Sequence, residues 1–360
     1  MNYILVINSG STSVKYKIFD LKENLIQANS YNNVSDHAAA VKKILHDIRY
    51  LSKLAMVGHR FVHGGDKFIA PILLNSKRIK ELEEFNSLAP LHNPYNLICA
   101  QTMLDYLPKL PQVAVFDTEF FSPLPEIARR YSLPTVLTKK YKIKRYGFHG
   151  LSHEFALFEA SRRLRKSSKS LNLISCHLGG GWSITAIKKG RPIDTSMGFT
   201  PLEGLTMMTR AGNLDSGIIF ELLTKLPGEI NKAKAEKLYN LLNEKSGLKG
   251  LAGVKNYKEL LTKVKSGNSQ AKFSFNLAIY KLVKYIGAYW AVLGGQVDAI
   301  VFTGAIGAGK PVTRQQVMAK LKFLGKVKYL IIEPNEELMI ARRVKKVIPP
   351  TLKVTEDKKV

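Results

Sequence analysis

An apolar run, a turn of glycine and hydroxyl residues, and a second apolar run follow one another twice in this sequence. At the start, 3–7 is apolar, the turn reads Asn8-Ser9-Gly10-Ser11-Thr12-Ser13, and 14–19 is apolar again. In the middle, 171–176 is apolar, 177–183 is glycine-rich with Gly179, Gly180 and Gly181 in a row, and 184–187 is apolar. Aligning Gly10 with Gly181 sets the copies 171 residues apart. A short apolar run bounded by turn residues reads as a buried strand, and recurrence at long spacing reads as two related halves. Each half presents one small-residue turn, and backbone N–H groups in such a turn can face an anion.

The rest of the chain alternates between the two periodicities. Helical spacing covers 37–51, 78–88, 94–107, 151–166, 218–225, 232–244, 268–293 and 335–346, short apolar runs cover 56–62, 112–117 and 327–332, and a third strand–loop unit covers 299–309. That alternation predicts an α/β protein. We expect a first domain of 1–148 plus 337–360 and a second of 149–336. With 360 residues, 45% of them hydrophobic, the chain is long enough for two cores. Its two cysteines, Cys99 and Cys176, make no disulfide framework. The greasiest stretch, 279–295, is interrupted by Lys281 and Lys284, which argues against a membrane span. A cytoplasmic location is expected. The formal net charge of +27 favours anionic partners. The excess is spread along the chain without a basic tail, so nucleic acid is not the expected partner.

Several residues stand where chemistry could use them. Lys15 follows the first turn, and the three glycines of the second would let a ligand approach the main chain; a plain hairpin turn and a bulge are the structural alternatives. Gly304 to Lys310 matches Gly-x-x-x-x-Gly-Lys, but Pro311 stands where a phosphate-binding loop of that kind needs a hydroxyl for magnesium. A glycine turn against a nucleotide ring or ribose fits better. Two His-x-x-x-His pairs, His59/His63 and His149/His153, lack the internal Glu of a metalloprotease helix. Arg60 and Arg210 adjoin glycine-rich segments, a setting for bidentate binding of phosphate or carboxylate. Asp117 ends an apolar strand, and Glu336 or Glu337 opens the last helix, so both could serve magnesium in phosphoryl transfer.

Read together, ten stretches resemble the acetate kinase family: VINSGSTSVKY (6–16), GHRFVHGGDKF (58–68), APLHNP (89–94), VFDTEFF (115–121), RYGFHGLSH (145–153), CHLGGGWSITA (176–186), DTSMGFTPLEGL (194–205), TRAGNLD (209–215), VFTGAIG (301–307) and PNEELMIAR (334–342). They run in the family's order along nearly the whole chain. The resemblance implies two similar actin- or ribonuclease H-like α/β domains with a central cleft. It implies a homodimer that transfers phosphate between ATP and acetate, giving ADP and acetyl phosphate, with Mg²⁺ or alternatively Mn²⁺.

The resemblance also distributes roles. Asn8, Ser11, Ser13 and Lys15 would meet phosphates and the metal, and Glu336 would hold the metal. Arg60, Arg210 and His149 would hold acetyl phosphate and stabilise the transferring group, with Asp117 orienting substrate and metal-bound water. Val62, Leu91, Phe148 and Pro201 would form the pocket for the acetate methyl. His92, His177, Gly179, Gly180 and Gly181 would line the site, and Gly304 and Gly307 would face adenosine. Gly180 replaces the asparagine usual in the family, Ala308-Gly309 replaces a Glu-Asn, and the chain is shorter than typical members. These departures bear on nucleotide affinity. A kinase of a longer carboxylate such as propionate is the nearest alternative, and a catalytically silent basic binding protein the alternative of another class.

Overall fold

A computed structural model describes residues 2–347, so the 348–360 portion of the expected first domain lies outside the described residues. Six strands form one sheet: β1 (Tyr3–Ser9), β2 (Ser13–Asp20), β3 (Leu25–Asn32), β4 (Leu54–Phe61), β5 (Ile72–Leu73) and β6 (Gln112–Phe116). Five form another: β7 (Leu173–Leu178), β8 (Trp182–Lys188), β9 (Arg191–Thr195), β10 (Ala299–Thr303) and β11 (Tyr329–Ile331).

The first sheet is ordered β3-β2-β1-β4-β6-β5 and the second β11-β10-β7-β8-β9. Read from β9, the second repeats the first: an antiparallel meander of three strands, then two strands parallel to the meander's first. The two-halves expectation is met at the level of strand order, with β5 as an extra edge. β3 and β9 escaped the apolar-run criterion for different reasons. β3 is mostly exposed, and β9 is an edge strand carrying Pro192, which an edge tolerates because it needs one ladder donor fewer.

Contacts divide the chain into two units. The first comprises the described part of Met1–Ser122, Phe148–Glu154 and Asn335–Val360; the second comprises Pro123–Gly147 and Phe155–Pro334. The boundaries expected from sequence therefore shift at three places. Residues 123–147 cluster with the second unit because Arg145 donates to the Thr195 carbonyl (3.0 Å) and to Glu203 (2.7 Å), and the Tyr146 N–H donates to the Gly198 carbonyl (3.0 Å). Residues 149–154 cluster with the first because Gly150 lies on the backbone of Asp117: a Cβ there would come within 2.0 Å of the Asp117 carbonyl oxygen. Asn335 and Glu336 also fall in the first unit, since Lys17 donates to Asn335 across 2.9 Å.

In the first unit the helix Glu336–Val347 lies on β1 and β4. Its close approach depends on Gly58, where a Cβ would come within 2.7 Å of Ile340 and Val344. Arg343 of this helix holds two acids, Glu119 at 3.2 Å and Glu154 at 2.6 Å. Burial raises the Glu119 carboxyl to about 7; Glu154 adds to that, and Arg343 opposes it.

A carboxyl raised above its unfolded value stabilises most when protonated, and that contribution fades as pH rises through the folded value. Stability should therefore decline from pH 4.5 toward 7 on account of Glu119, by on the order of 2–3 kcal/mol. Glu119→Gln should flatten that decline in a series of thermal melts. An unchanged slope would show that Glu119 ionises normally.

Candidate functional site

Three parallel strands of the first unit end side by side, and each has a polar side chain within one residue of its end. Ile7 of β1 pairs with His59 of β4, and Phe61 of β4 pairs with Phe116 of β6. Asn8, Arg60 and Asp117 therefore converge at the carboxyl ends, where open α/β sheets place ligands. Arg60 forks onto Asp117 through Nε (3.2 Å) and Nη2 (2.6 Å), and its Nη1 donates to Asn8 Oδ1 (3.0 Å). Burial works against the Arg60 cation, but Asp117, with Glu336 and Glu337 beyond it, more than compensates and raises the guanidinium above its ordinary value. A guanidinium has five N–H donors. Three are used here, leaving one on each terminal nitrogen.

The helix Glu336–Val347 brings two adjacent acids to this cluster. Glu337 accepts from Asn8 Nδ2 (2.7 Å) and pairs with Lys17 (3.0 Å). Burial pushes Glu337 up, yet Lys17 and the Asn8 amide outweigh it and hold the carboxyl below its usual range. Glu336 is raised instead, first by burial and then by the charge of Glu337, against the weaker pull of Arg60 and Lys15. Lys15 stands opposite Asn8 in the β1–β2 register and is exposed. The set offers hard oxygen donors, the amide of Asn8 and an under-compensated carboxylate at Glu336. That suits a divalent cation that also takes phosphate oxygens. Among the described residues no group of three His, Cys, Asp or Glu could hold a metal by itself.

The other site residues expected in this unit lie at element ends and in loops. The first turn is held tightly: Gly10 N–H donates to the Ser13 carbonyl (2.7 Å), and His37 Nε2 meets the Gly10 carbonyl (2.8 Å). Ser11 is half-buried, and Ser13 begins β2. Val62 is 6% and Phe148 1% exposed, and the Phe148 ring meets that of His63 edge-on. Leu91 and His92 are half-buried just before the helix Asn93–Tyr106. His149 has φ of 59°, unusual for a residue with a side chain, and stands where Gly150 meets Asp117. Backbone strain of this kind clusters at functional sites. His59, of the first histidine pair, is a core residue: it is bonded to Gln112 (2.8 Å), and burial lowers it to about 4.

The second unit carries the other expected site residues. Its glycine turn follows β7, with Gly179 N–H donating to the Gly181 carbonyl (3.0 Å) and Trp182 Nε1 to the Gly179 carbonyl (3.0 Å). The Gly180 carbonyl accepts from Met208 N–H (3.2 Å), which brings the Arg210 segment to this turn. Burial lowers the Arg210 guanidinium from its ordinary value, with Tyr239 opposing. His177 is on β7, and Pro201 is buried in the segment leading to Arg210. Gly304 and Gly307 bound a short helix after β10, whose carbonyls at Gly307 and Ala308 accept from Arg314 (2.6 Å each). Pro311 opens the next helix, so the segment is not a phosphate-wrapping loop.

Sequence reasoning passed over Lys17, His37, Asn93 and Asn96. Lys17 shares a strand face with Lys15, a period-two signal that was available. The buried amides of the helix Asn93–Tyr106 left no such mark, because their partners are backbone groups and one hydroxyl far along the chain.

The sequence pattern of the Acetokinase family matches residues 3–340. A protein of Carboxydothermus hydrogenoformans named acetate kinase is 37% identical over 393 residues, covering 94% of this chain and 97% of its own length. Among solved structures, a propionate kinase from Francisella tularensis superposes with a TM-score of 0.88 at 32% identity, covering 96% of this chain and 100% of that one. Acetate kinase of Porphyromonas gingivalis gives 0.86 at 33%, with the same coverage.

The glycines of the second unit are of two kinds. Gly304 has φ of 79°, and a Cβ there would come within 2.5 Å of the Leu178 carbonyl oxygen. Gly180 is outside the left-handed region, and a Cβ there meets nothing within 4 Å. Gly304→Ala should therefore cost roughly 1–3 kcal/mol, while Gly180→Ala stays within about 0.5 kcal/mol of wild type. Denaturant melts of both variants check this. Equal losses would mean that the turn at Gly180 is also backbone-limited.

Proposed function

The chain belongs to the acetokinase family, and from that premise we propose that it moves a phosphoryl group between ATP and acetate, giving ADP and acetyl phosphate, by direct in-line transfer. The observation that carries this reading is the convergence of Asn8, Arg60 and Asp117 at three strand ends, with Glu336 beside them. Phosphoryl transfer asks for positioning and charge neutralisation rather than covalent chemistry.

Arg60 directs its two remaining N–H groups at the transferring oxygens, and Asp117 and Asn8 keep the guanidinium plane fixed while it does so. Arg210 and His149 supply further positive or hydrogen-bonding contact to the same group. Val62, Leu91, Phe148 and Pro201 exclude water around the acetate methyl, with His92 at the edge. Lys15, Ser11, Ser13, His177 and the turn from Gly179 to Gly181 take nucleotide phosphates, and Gly304 and Gly307 lie against adenosine. Asn8 and Glu336 would hold the divalent cation, Mg²⁺ in our reading, which neutralises phosphate charge when bound. A homodimer belongs to the same proposal, supported by large apolar side chains exposed on the second unit at Ile127, Val136 and Phe220. Propionate is a second acceptor to assay, since one methylene in an apolar pocket discriminates only about 10–200-fold.

Incubation with ATP, acetate and Mg²⁺, followed by hydroxamate trapping of acetyl phosphate, tests the reaction. Arg60→Ala and Arg210→Ala should each lower turnover by about 10²–10³ with the fold retained by circular dichroism. Near-normal turnover in either would remove that arginine from the site. Gly180→Asn should lower the ATP KM by about tenfold, because a side-chain amide gains a hydrogen bond to a charged phosphate, and should leave the acetate KM alone. A folded variant with an unchanged ATP KM would mean that the main chain of this turn already satisfies the phosphates.

A further inference from the structure

Beyond Ile7 and His59 the ladder between β1 and β4 stops. The next backbone groups, at Ser9 and Val62, are joined by a side chain instead. Asn96, 1% exposed on the helix Asn93–Tyr106, donates from Nδ2 to the Ser9 carbonyl (2.9 Å) and Ser9 Oγ (2.8 Å), while its Oδ1 accepts from Val62 N–H (3.3 Å). A buried amide must satisfy its donors and its acceptor, and here all of these bonds go to the ends of two neighbouring strands. One turn earlier, Asn93 brackets His63 in the same way, accepting from its N–H (3.1 Å) and donating to its carbonyl (2.9 Å).

The residues so joined are not arbitrary. Ser9 follows Asn8, which fixes Arg60 Nη1, and Val62 follows the strand that carries Arg60. One buried carboxamide thus spans the phosphate-and-metal side of the first unit and the wall of the acyl pocket. We propose that Asn96 is a positioning residue that sets the register between these two sides, and so governs both turnover and discrimination between acetate and propionate. This rests on the acetate kinase reading and deepens it. A shift of one side against the other by about 1 Å is enough to cost 10²-fold in rate.

The test uses the full chain and three variants. Asn96→Asp keeps an oxygen for Val62 N–H and removes the donors to Ser9. Ser9→Ala removes only the hydroxyl partner. Ala100→Gly, one turn along the same buried helix face, loosens the helix and its packing but removes no hydrogen bond to Ser9 or Val62. Turnover, both KM values, the propionate-to-acetate ratio of kcat/KM and the melting temperature are read for each. Asn96→Asp should lower kcat by about 10²-fold and change the ratio several-fold, with a smaller change of the same sign in Ser9→Ala. Ala100→Gly should lower the melting temperature and leave the ratio unchanged. A ratio that moves in neither Asn96→Asp nor Ser9→Ala, or that moves as much in Ala100→Gly, overturns the inference. If Asn96→Asp does not fold, Ser9→Ala decides it in the same way. A wild type that phosphorylates neither acid defeats the functional reading and the inference with it, whereas an active wild type with an unmoved ratio defeats the inference alone.

Discussion

The fork of Arg60 on Asp117 is the contact around which the first unit is arranged. A desolvated guanidinium beside a fully buried carboxylate loses hydration that their mutual attraction repays only with good geometry and further hydrogen bonds. Both are present. The pair is bidentate, and the Asn8 amide caps the third nitrogen. That geometry exists because β1, β4 and β6 are adjacent and parallel, so three strand ends deliver three side chains to one place. Any change in strand order would separate them. Charge is balanced in the same economy of space: Lys17 answers Glu337, while Glu336 is left with weaker neighbours and a raised carboxyl.

The doubled strand order explains how much of the fold could be read in advance. A buried strand must be apolar, and a turn between buried strands must be small and polar, so β1, β2, β7 and β8 announced themselves. β3 did not, because an exposed strand has no apolar run to display. The segment 123–147 misled for another reason. Its attachment depends on Arg145 reaching Thr195 and Glu203, side-chain contacts that leave no periodic trace.

The same distinction runs through the site. Asp117 was legible because a charged residue at the end of an apolar run is expensive to place and so carries information, and Arg60 and Lys15 were legible through the glycine and hydroxyl residues beside them. Asn93 and Asn96 were not, although they are as deeply buried. An asparagine near a helix start usually reads as a cap or a surface residue. In the folded chain both amides face inward, Asn96 joining the ends of two strands and Asn93 holding the backbone of His63. Sequence resemblance carries such residues along silently, inside motifs whose other members attract the functional reading.

The glycines show how far one residue type can differ in meaning. Gly58 exists so that a helix can reach the sheet, Gly150 so that the chain can lie on Asp117, and Gly304 because its φ and the Leu178 carbonyl exclude any side chain. Gly180 has none of these constraints. Its turn keeps its shape through the hydrogen bonds of its neighbours, from Gly179 to Gly181 and from Met208 to Gly180 itself. A glycine that the backbone does not require, in a turn bonded to the segment that leads to Arg210, leaves open space where a side chain would fit. The choice at position 180 is therefore set by what approaches the turn rather than by how the turn folds.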